Sequence, residues 1–251
     1  MRPPTGTFVI VSPRSSHLLL ISISPLWLFG QYDEDCLRHD GPAASAPAAS
    51  AAAAPTGDAL SVEALATLTA EASLAAHRRA ALSKLVDGPA AVLDSQAIFG
   101  VRYFPYDSTL AFTALFRPGS DTALVNFPTS DGRARAYRAY GQLVLLYAGA
   151  AHALEVYEIP GLRTHPVYGD LLFLPFFDAS NDETTYGGGR YLDLSRAAFE
   201  TGDYRVDFNR AYNPYCAYAD GFSCPIPPRP NHLRIAVPVG EKWSEHFRDG
   251  H

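Results

Sequence analysis

The sequence predicts a mainly β fold, an antiparallel β-sandwich or barrel with one N-terminal α-helix. From residue 101 onward, short apolar or alternating runs recur at a spacing of roughly 8–15 residues, and each is bounded by Gly, Pro, Asp or Ser. No segment of helical periodicity separates these runs, which argues against crossover helices and a parallel sheet. The 47% hydrophobic content of the 251 residues is ample for one substantial core.

The first thirty residues are predicted to be an export signal. Residues 17–30 are apolar and follow Arg2 and Arg14, but the run is too short for a transmembrane helix and contains Pro25. A basic start followed by a short apolar segment is typical of exported proteins. We therefore expect the mature protein in the periplasm or cell envelope, without a membrane span once the signal is removed. A start chosen too far upstream is the alternative.

The following residues divide into a linker and one domain. Residues 31–57 are rich in Ala and Pro and are predicted to be a flexible linker. Residues 58–245 are predicted to form a single β-rich domain that begins with a helix over residues 58–86. Asp58 or Ser61 can cap this helix, its apolar residues recur at roughly helical spacing, and Gly88 and Pro89 end it.

The β-rich part contains about eight or nine predicted strands. A glycine-containing turn at 148–151 joins two of them into a hairpin. The clearest strands cover residues 110–116, 134–140, 142–147, 152–159, 170–177, 190–194, 204–208 and 233–239.

Charge and residue types exclude some classes of partner. The net charge of -6 and the pI near 5.7 argue against nucleic acid, because affinity for phosphates needs basic surface. The same balance argues against a polybasic membrane anchor. No phosphate loop, nucleophile elbow or metal-ligand motif occurs, so the sequence identifies no cofactor and no metal.

Cys216 and Cys224 are separated by seven residues that include the turn signal Asp220-Gly221. In an exported protein this spacing favours a disulfide that closes a tight loop. A pair of reduced structural thiols is an alternative. A metal or redox site is another, but it would need two more ligands, and the nearest histidine is His232.

Several strings resemble the domain-of-unknown-function family 1684, in its short exported form. They include Leu172-Phe-Leu-Pro-Phe-Phe-Asp178, Glu183-Thr-Thr-Tyr-Gly-Gly-Gly-Arg-Tyr-Leu-Asp-Leu194 and Asp207-Phe-Asn-Arg-Ala-Tyr-Asn-Pro-Tyr-Cys-Ala-Tyr218. The resemblance covers about residues 90–242. It departs from the family pattern in the long Ala/Pro linker and at Thr184.

This resemblance implies the fold and the location of a site, but no activity. The family pattern maps onto Glu183, Tyr186, Gly187, Gly189, Arg190, Asp207, Asn209, Tyr212, Asn213, Pro214, Cys216, Cys224 and Asn231.

Two classes of function fit the polar residues of this block. In the first, the protein binds an unknown small polar ligand without catalysis, through Tyr186, Gly187, Gly188, Gly189, Arg190, Asn209, Tyr212 and Asn213. In the second, it is a hydrolase-like or lyase-like enzyme. Glu183 and Asp207 would then divide acid and base duties while Arg190 holds an anionic group. The same carboxylates and arginine can equally form structural ion pairs, and the three glycines a plain turn.

Overall fold

The computed structural model describes residues 61–88, 90–119, 124–244 and 246–247. The predicted export signal and the Ala/Pro linker lie outside these residues. The described chain contains α1 (Val62–Asp87), β1 (Ala111–Thr113), β2 (Leu115–Pro118), β3 (Leu124–Pro128), β4 (Ala134–Tyr147), β5 (Ala150–Glu158), β6 (Leu171–Phe176), β7 (Arg190–Ser195), α2 (Arg196–Glu200) and β8 (Arg205–Asp207).

The strands form two antiparallel sheets in a sandwich-like, open arrangement, which confirms the mainly β prediction. The larger sheet has the order β2-β4-β5-β6-β7, and β3 also pairs with β4. The smaller sheet pairs β1 with β8. No helix among the described residues is both long enough and apolar enough to cross a membrane.

α1 begins and ends where local chemistry predicts. The hydroxyl of Ser61 accepts a hydrogen bond from the Ala64 amide at 3.1 Å, which satisfies one of the free amides of the first turn. At the other end, the Gly88 amide donates to the Lys84 carbonyl. Leu74, Ala81 and Leu85 of α1 are buried, so packing as well as propensity stabilises the helix.

The large sheet separates two cores. An aliphatic core lies between its inner face and the small sheet and includes Leu143, Leu154, Leu174 and Val206. An aromatic core on the opposite face lies beneath α1 and consists of Ala81, Phe127, Tyr137, Tyr157, Phe173, Tyr191 and Tyr212.

β4 contributes to both cores because it contains a β-bulge. In its pairing with β5, Ala139 lies opposite Tyr157 and Gly141 opposite Val156, so Tyr140 has no partner residue. The extra residue reverses the alternation: Tyr137 packs in the aromatic core, whereas Leu143 packs in the aliphatic core. The two strands predicted at 134–140 and 142–147 are therefore one strand.

The strand predicted at residues 233–239 is wrong. This segment has no ladder partner and is irregular, with bends at residues 234 and 235, and side chains bind part of its backbone. Asp178 accepts from the Val237 amide, and Arg190 donates to the carbonyls of Val237 and Val239. The short α2, between β7 and β8, was also not predicted.

Candidate functional site

Arg190 is a structural residue of the core. It is 0% exposed, and its Nη2 lies 2.8 Å from Oδ2 of Asp178. The same nitrogen donates to the Val237 carbonyl at 2.7 Å, and Nη1 donates to the carbonyl of Glu241 at 3.3 Å. The guanidinium thus ties the segment 237–241 to β7 and offers no exposed surface to the anionic group of a ligand.

Asp207 and Asn209 organise a turn next to β8. Oδ1 of Asp207 accepts from the Asn209 amide at 3.0 Å, and its Oδ2 lies 3.4 Å from Nε of Arg210. The Asn209 side chain exchanges two hydrogen bonds with the backbone of Asp107, each of 2.8 Å. These contacts join residues 107 and 207–210.

Glu183 lies on an exposed loop, and its amide donates to the Ser180 carbonyl at 3.3 Å. Arg190 is fully buried and Asp207 belongs to the turn beside β8. The three residues that the sequence predicts as catalytic therefore have separate surroundings.

The glycine run is a tight turn, and its last position, Gly189, excludes a side chain. Gly189 has φ +84°, and a Cβ there would lie 2.9 Å from the Phe176 carbonyl oxygen. A Cβ on Gly187 would lie 1.9 Å from Oδ1 of Asp182. Gly188 lies between them, against the ring of Tyr186. Steric demand therefore accounts for Gly189, whereas the close neighbours of the other two glycines are side chains.

Tyr186 and Asn213 lie beside the segment 241–243. The Tyr186 ring packs edge-on against Trp243, and its hydroxyl donates to the Cys216 carbonyl at 3.4 Å. Asn213 is buried; its amide donates to Oε2 of Glu241 at 3.1 Å and its Nδ2 to the Lys242 carbonyl at 3.0 Å. These two members of the predicted binding set are thus engaged mainly with the protein itself.

Glu241 is a buried acid that the sequence reasoning did not select. It is 1% exposed and accepts from the Tyr218 hydroxyl as well as from the Asn213 amide. Burial raises the pKa of its carboxyl to about 7. The available signal was an acid two residues after the apolar residues Val237 and Val239, beyond Gly240.

Tyr212 contacts a different acid, Asp193 of β7. Its hydroxyl donates to Oδ1 of Asp193 at 2.8 Å. Burial raises the pKa of Asp193 to about 7, against the opposing effects of this hydrogen bond and of the Lys84 charge. Asp193 was not among the site residues predicted from the sequence.

The disulfide between Cys216 and Cys224 confirms the pairing predicted from their spacing, with a Cα–Cα distance of 6.4 Å. Oγ of Ser130 lies 3.1 Å from Sγ of Cys216 and accepts from the Cys224 amide at 3.0 Å. The loop is therefore anchored to the turn after β3. Within the described part of the chain, no group of three His, Cys, Asp or Glu residues could hold a metal ion.

One open groove lies where α1 passes the segment 105–108. It has a volume of about 440 Å³ and is called the α1 groove here; its lining residues are Thr67, Glu71, Pro105, Tyr106, Asp107, Ser108 and Pro238. Partial burial, followed by the charges of Asp207, Glu71 and Asp107, raises the pKa of the Tyr106 phenol. Asp207 thus acts on this groove through its charge.

Comparison with known proteins adds a family and a fold. The sequence pattern of the family described as "Protein of unknown function (DUF1684)" matches residues 97–242, more than half of the chain. An uncharacterised protein of Haloarcula marismortui, solved by NMR in solution, is 28% identical and has a TM-score of 0.55. The match covers 71% of this chain and 96% of that one. No curated protein matches.

Proposed function

Since this chain belongs to the DUF1684 family of proteins of unknown function, we propose a function from its own geometry: it is an exported binding domain of the cell envelope, without catalysis. The α1 groove carries the proposal. Its volume of about 440 Å³ suits a small molecule, and Glu71, Asp107 and the nearby Asp207 make it electronegative. The ligand is a small polar molecule with a positive charge.

The enzyme alternative receives less support. A hydrolase-like or lyase-like mechanism requires Glu183, Asp207 and Arg190 to meet around one substrate, with the guanidinium open to an anionic group. Arg190 is instead 0% exposed and bound to Asp178. Asp207 and Asn209 keep a role in the binding proposal, because they hold Asp107 at the groove.

The Cys216–Cys224 disulfide supports the proposed location, because disulfides persist in oxidising compartments such as the periplasm. N-terminal sequencing of the mature protein from its native host tests this point. We expect a start after the apolar segment 17–30. An intact Met1 on protein recovered from the cytoplasm would contradict export.

Thermal unfolding of the full chain in the presence of choline, putrescine or glucose tests the ligand class. A bound ligand at about 100 times its Kd stabilises by about 2.7 kcal/mol, which raises Tm by several degrees. We expect this rise with choline or putrescine and not with glucose. Glu71→Gln and Asp107→Asn should each reduce the rise, since they remove charge at almost constant shape.

Glu200→Gln is the matched control, because Glu200 is an exposed glutamate on α2 that does not line the groove. It should leave the rise unchanged. A rise in Tm that survives both groove substitutions, or the absence of any rise with choline and with putrescine, would refute binding of a cation in the α1 groove.

A further inference from the structure

Two of the acids at the α1 groove already use their oxygens within the protein. Oδ1 of Asp107 accepts from the amide and from the hydroxyl of Thr109, at 2.8 and 2.7 Å. Oδ1 of Asp207 accepts from the amide and from Nδ2 of Asn209, at 3.0 and 2.8 Å, and its Oδ2 lies 3.4 Å from Nε of Arg210. Asp107 and Asp207 therefore contribute negative charge to the groove more than free hydrogen-bond acceptors.

An aromatic ring at the groove is the second feature that bears on the ligand. The segment 103–106 contains three aromatic residues, and two of them already carry a cation of the protein. The Arg78 guanidinium lies 4.5 Å from the ring centroid of Tyr103, and the Lys242 ammonium lies 4.6 Å from that of Phe104. Tyr106 lines the groove, and among the described residues no cation lies over its ring.

The Tyr106 ring lies on a fixed piece of backbone. Before it, the Phe104 carbonyl accepts from Nη2 of Arg78 at 3.0 Å. After it, the amide and the carbonyl of Asp107 are both bound by the Asn209 side chain, each at 2.8 Å. A ligand that contacts Tyr106 therefore does not have to order the loop that carries it, which lowers the cost of binding.

We propose that the α1 groove selects a quaternary ammonium over a primary amine, and that Tyr106 determines this specificity. The inference rests on the function proposed above and names the class of cation. A quaternary ammonium has no N–H donor, and it is attracted both by carboxylate charge and by the face of an aromatic ring. Partial burial and the neighbouring acids raise the pKa of the Tyr106 phenol, so its ring stays neutral at physiological pH.

A primary amine fits this lining less well. Its ammonium group is strongly hydrated, and it needs acceptors for three N–H donors once that hydration is removed. Glu71 makes no hydrogen bond or ion pair with another described residue, so its carboxylate can accept, and Thr67 and Ser108 add one hydroxyl each. Pro105 and Pro238 offer rings without an acceptor in the side chain. The ring surface of the groove thus favours the cation without N–H donors.

Amide NMR titrations of the full chain with tetramethylammonium and with methylammonium, at constant ionic strength, test this selection. The two cations carry the same charge and differ in their N–H donors. We expect tetramethylammonium to bind about fivefold more tightly, as one cation–π contact at a partly exposed site provides. Tyr106→Leu should remove the preference by weakening tetramethylammonium about fivefold and methylammonium less than about twofold. Tyr106→Phe should keep it, because the ring remains.

Tyr168→Leu is the matched control, since Tyr168 is also partly buried but does not line the groove; it should leave both affinities unchanged. Glu71→Gln should weaken both cations alike, because it removes charge and no ring. Equal affinities for the two cations on the unmodified chain, which is measurable even if Tyr106→Leu does not fold, would overturn the inference. So would a preference that survives Tyr106→Leu; in either case cation binding in the groove would stand. Saturable shifts with neither cation would contradict the proposed function itself, and this inference with it.

Discussion

Two largely buried carboxylates lie close to the large sheet, and their surroundings are opposite in kind. Asp178, just after β6, receives four donors: Nη2 of Arg190 at 2.8 Å, the amides of Ser180 and Val237 at 2.8 and 3.2 Å, and the Ser180 hydroxyl. Asp193 on β7 receives one, from Tyr212. A cation faces each carboxylate, but only Asp178 forms an ion pair with it.

The difference teaches that burial by itself does not give a carboxylate its role. Around Asp178, the donors offset the loss of hydration, and the ion pair fixes the segment 237–241 against β7. Around Asp193, the missing donors leave a carboxyl that holds its proton near neutral pH. The first arrangement stabilises the fold, whereas the second leaves a carboxyl whose protonation changes near neutral pH.

Breaking the Asp178 arrangement should have the largest effect on stability. Arg190→Met keeps much of the side-chain volume but leaves Asp178 buried without its cation and the Val239 carbonyl without its Arg190 donor. We expect a loss of about 3–5 kcal/mol in the free energy of unfolding. Urea unfolding followed by circular dichroism measures it.

Arg205→Met is the control for this substitution. It removes an ion pair with Asp203 whose two side chains are 77% and 37% exposed, so it should cost less than about 1 kcal/mol. Similar losses for the two variants would show that the buried pair contributes no more to the free energy of unfolding than a surface pair does.

Changing Asp193 should have a smaller effect that depends on pH. Its folded pKa of about 7 lies above the ordinary value of 3.8, so the folded state holds the proton more tightly than the unfolded state. Stability from this group is complete below about pH 4 and falls as the pH rises through 7. Asp193→Asn removes the fall. We expect it to gain about 1–2 kcal/mol relative to the unmodified chain between about pH 5 and about pH 8.

This figure is below the full linkage energy of about 4 kcal/mol because Asp193 is partly exposed and solvent screens part of the effect. Urea unfolding of both proteins at the two pH values measures the difference. Two other groups also make stability depend on pH. The stability contributed by Glu241 falls over the same range, whereas that contributed by His77, whose pKa is lowered to about 4 by burial, rises. Both groups are present in both proteins, so their effects cancel in the difference. Parallel pH profiles would mean that Asp193 is ionised throughout.

Local signals predicted the parts of the fold that depend on neighbouring residues. Ser61 and Gly88 mark the ends of α1, a glycine turn marks the β4–β5 hairpin, and the turn between Cys216 and Cys224 marks the disulfide. The family was recognisable because its sequence motifs are short and specific. In each case the interacting residues are close in sequence, so their spacing determines the contact.

The candidate sites depend on distant contacts, and for this reason the sequence could not supply them. Arg190 meets Asp178 only because β6 and β7 pair in one particular register. Lys84 affects the Asp193 carboxyl, without an ion pair, because α1 packs across the aromatic core, and the residue pattern of the helix does not specify that direction. The residue types between Glu183 and Tyr218 were informative, but the sequence did not show which residues these side chains would contact.

The β-bulge at Tyr140 restricts where residues can be inserted into the chain or deleted from it. Gly141 follows it, and a Cβ there would lie 2.5 Å from the Phe116 ring. If one residue were gained or lost between Tyr137 and Leu143, the aliphatic side chains at the far end of β4 would turn to the wrong face of the sheet. Insertions and deletions among related chains are therefore expected at the exposed Ala148–Gly149 tip instead, where added residues leave both cores in register.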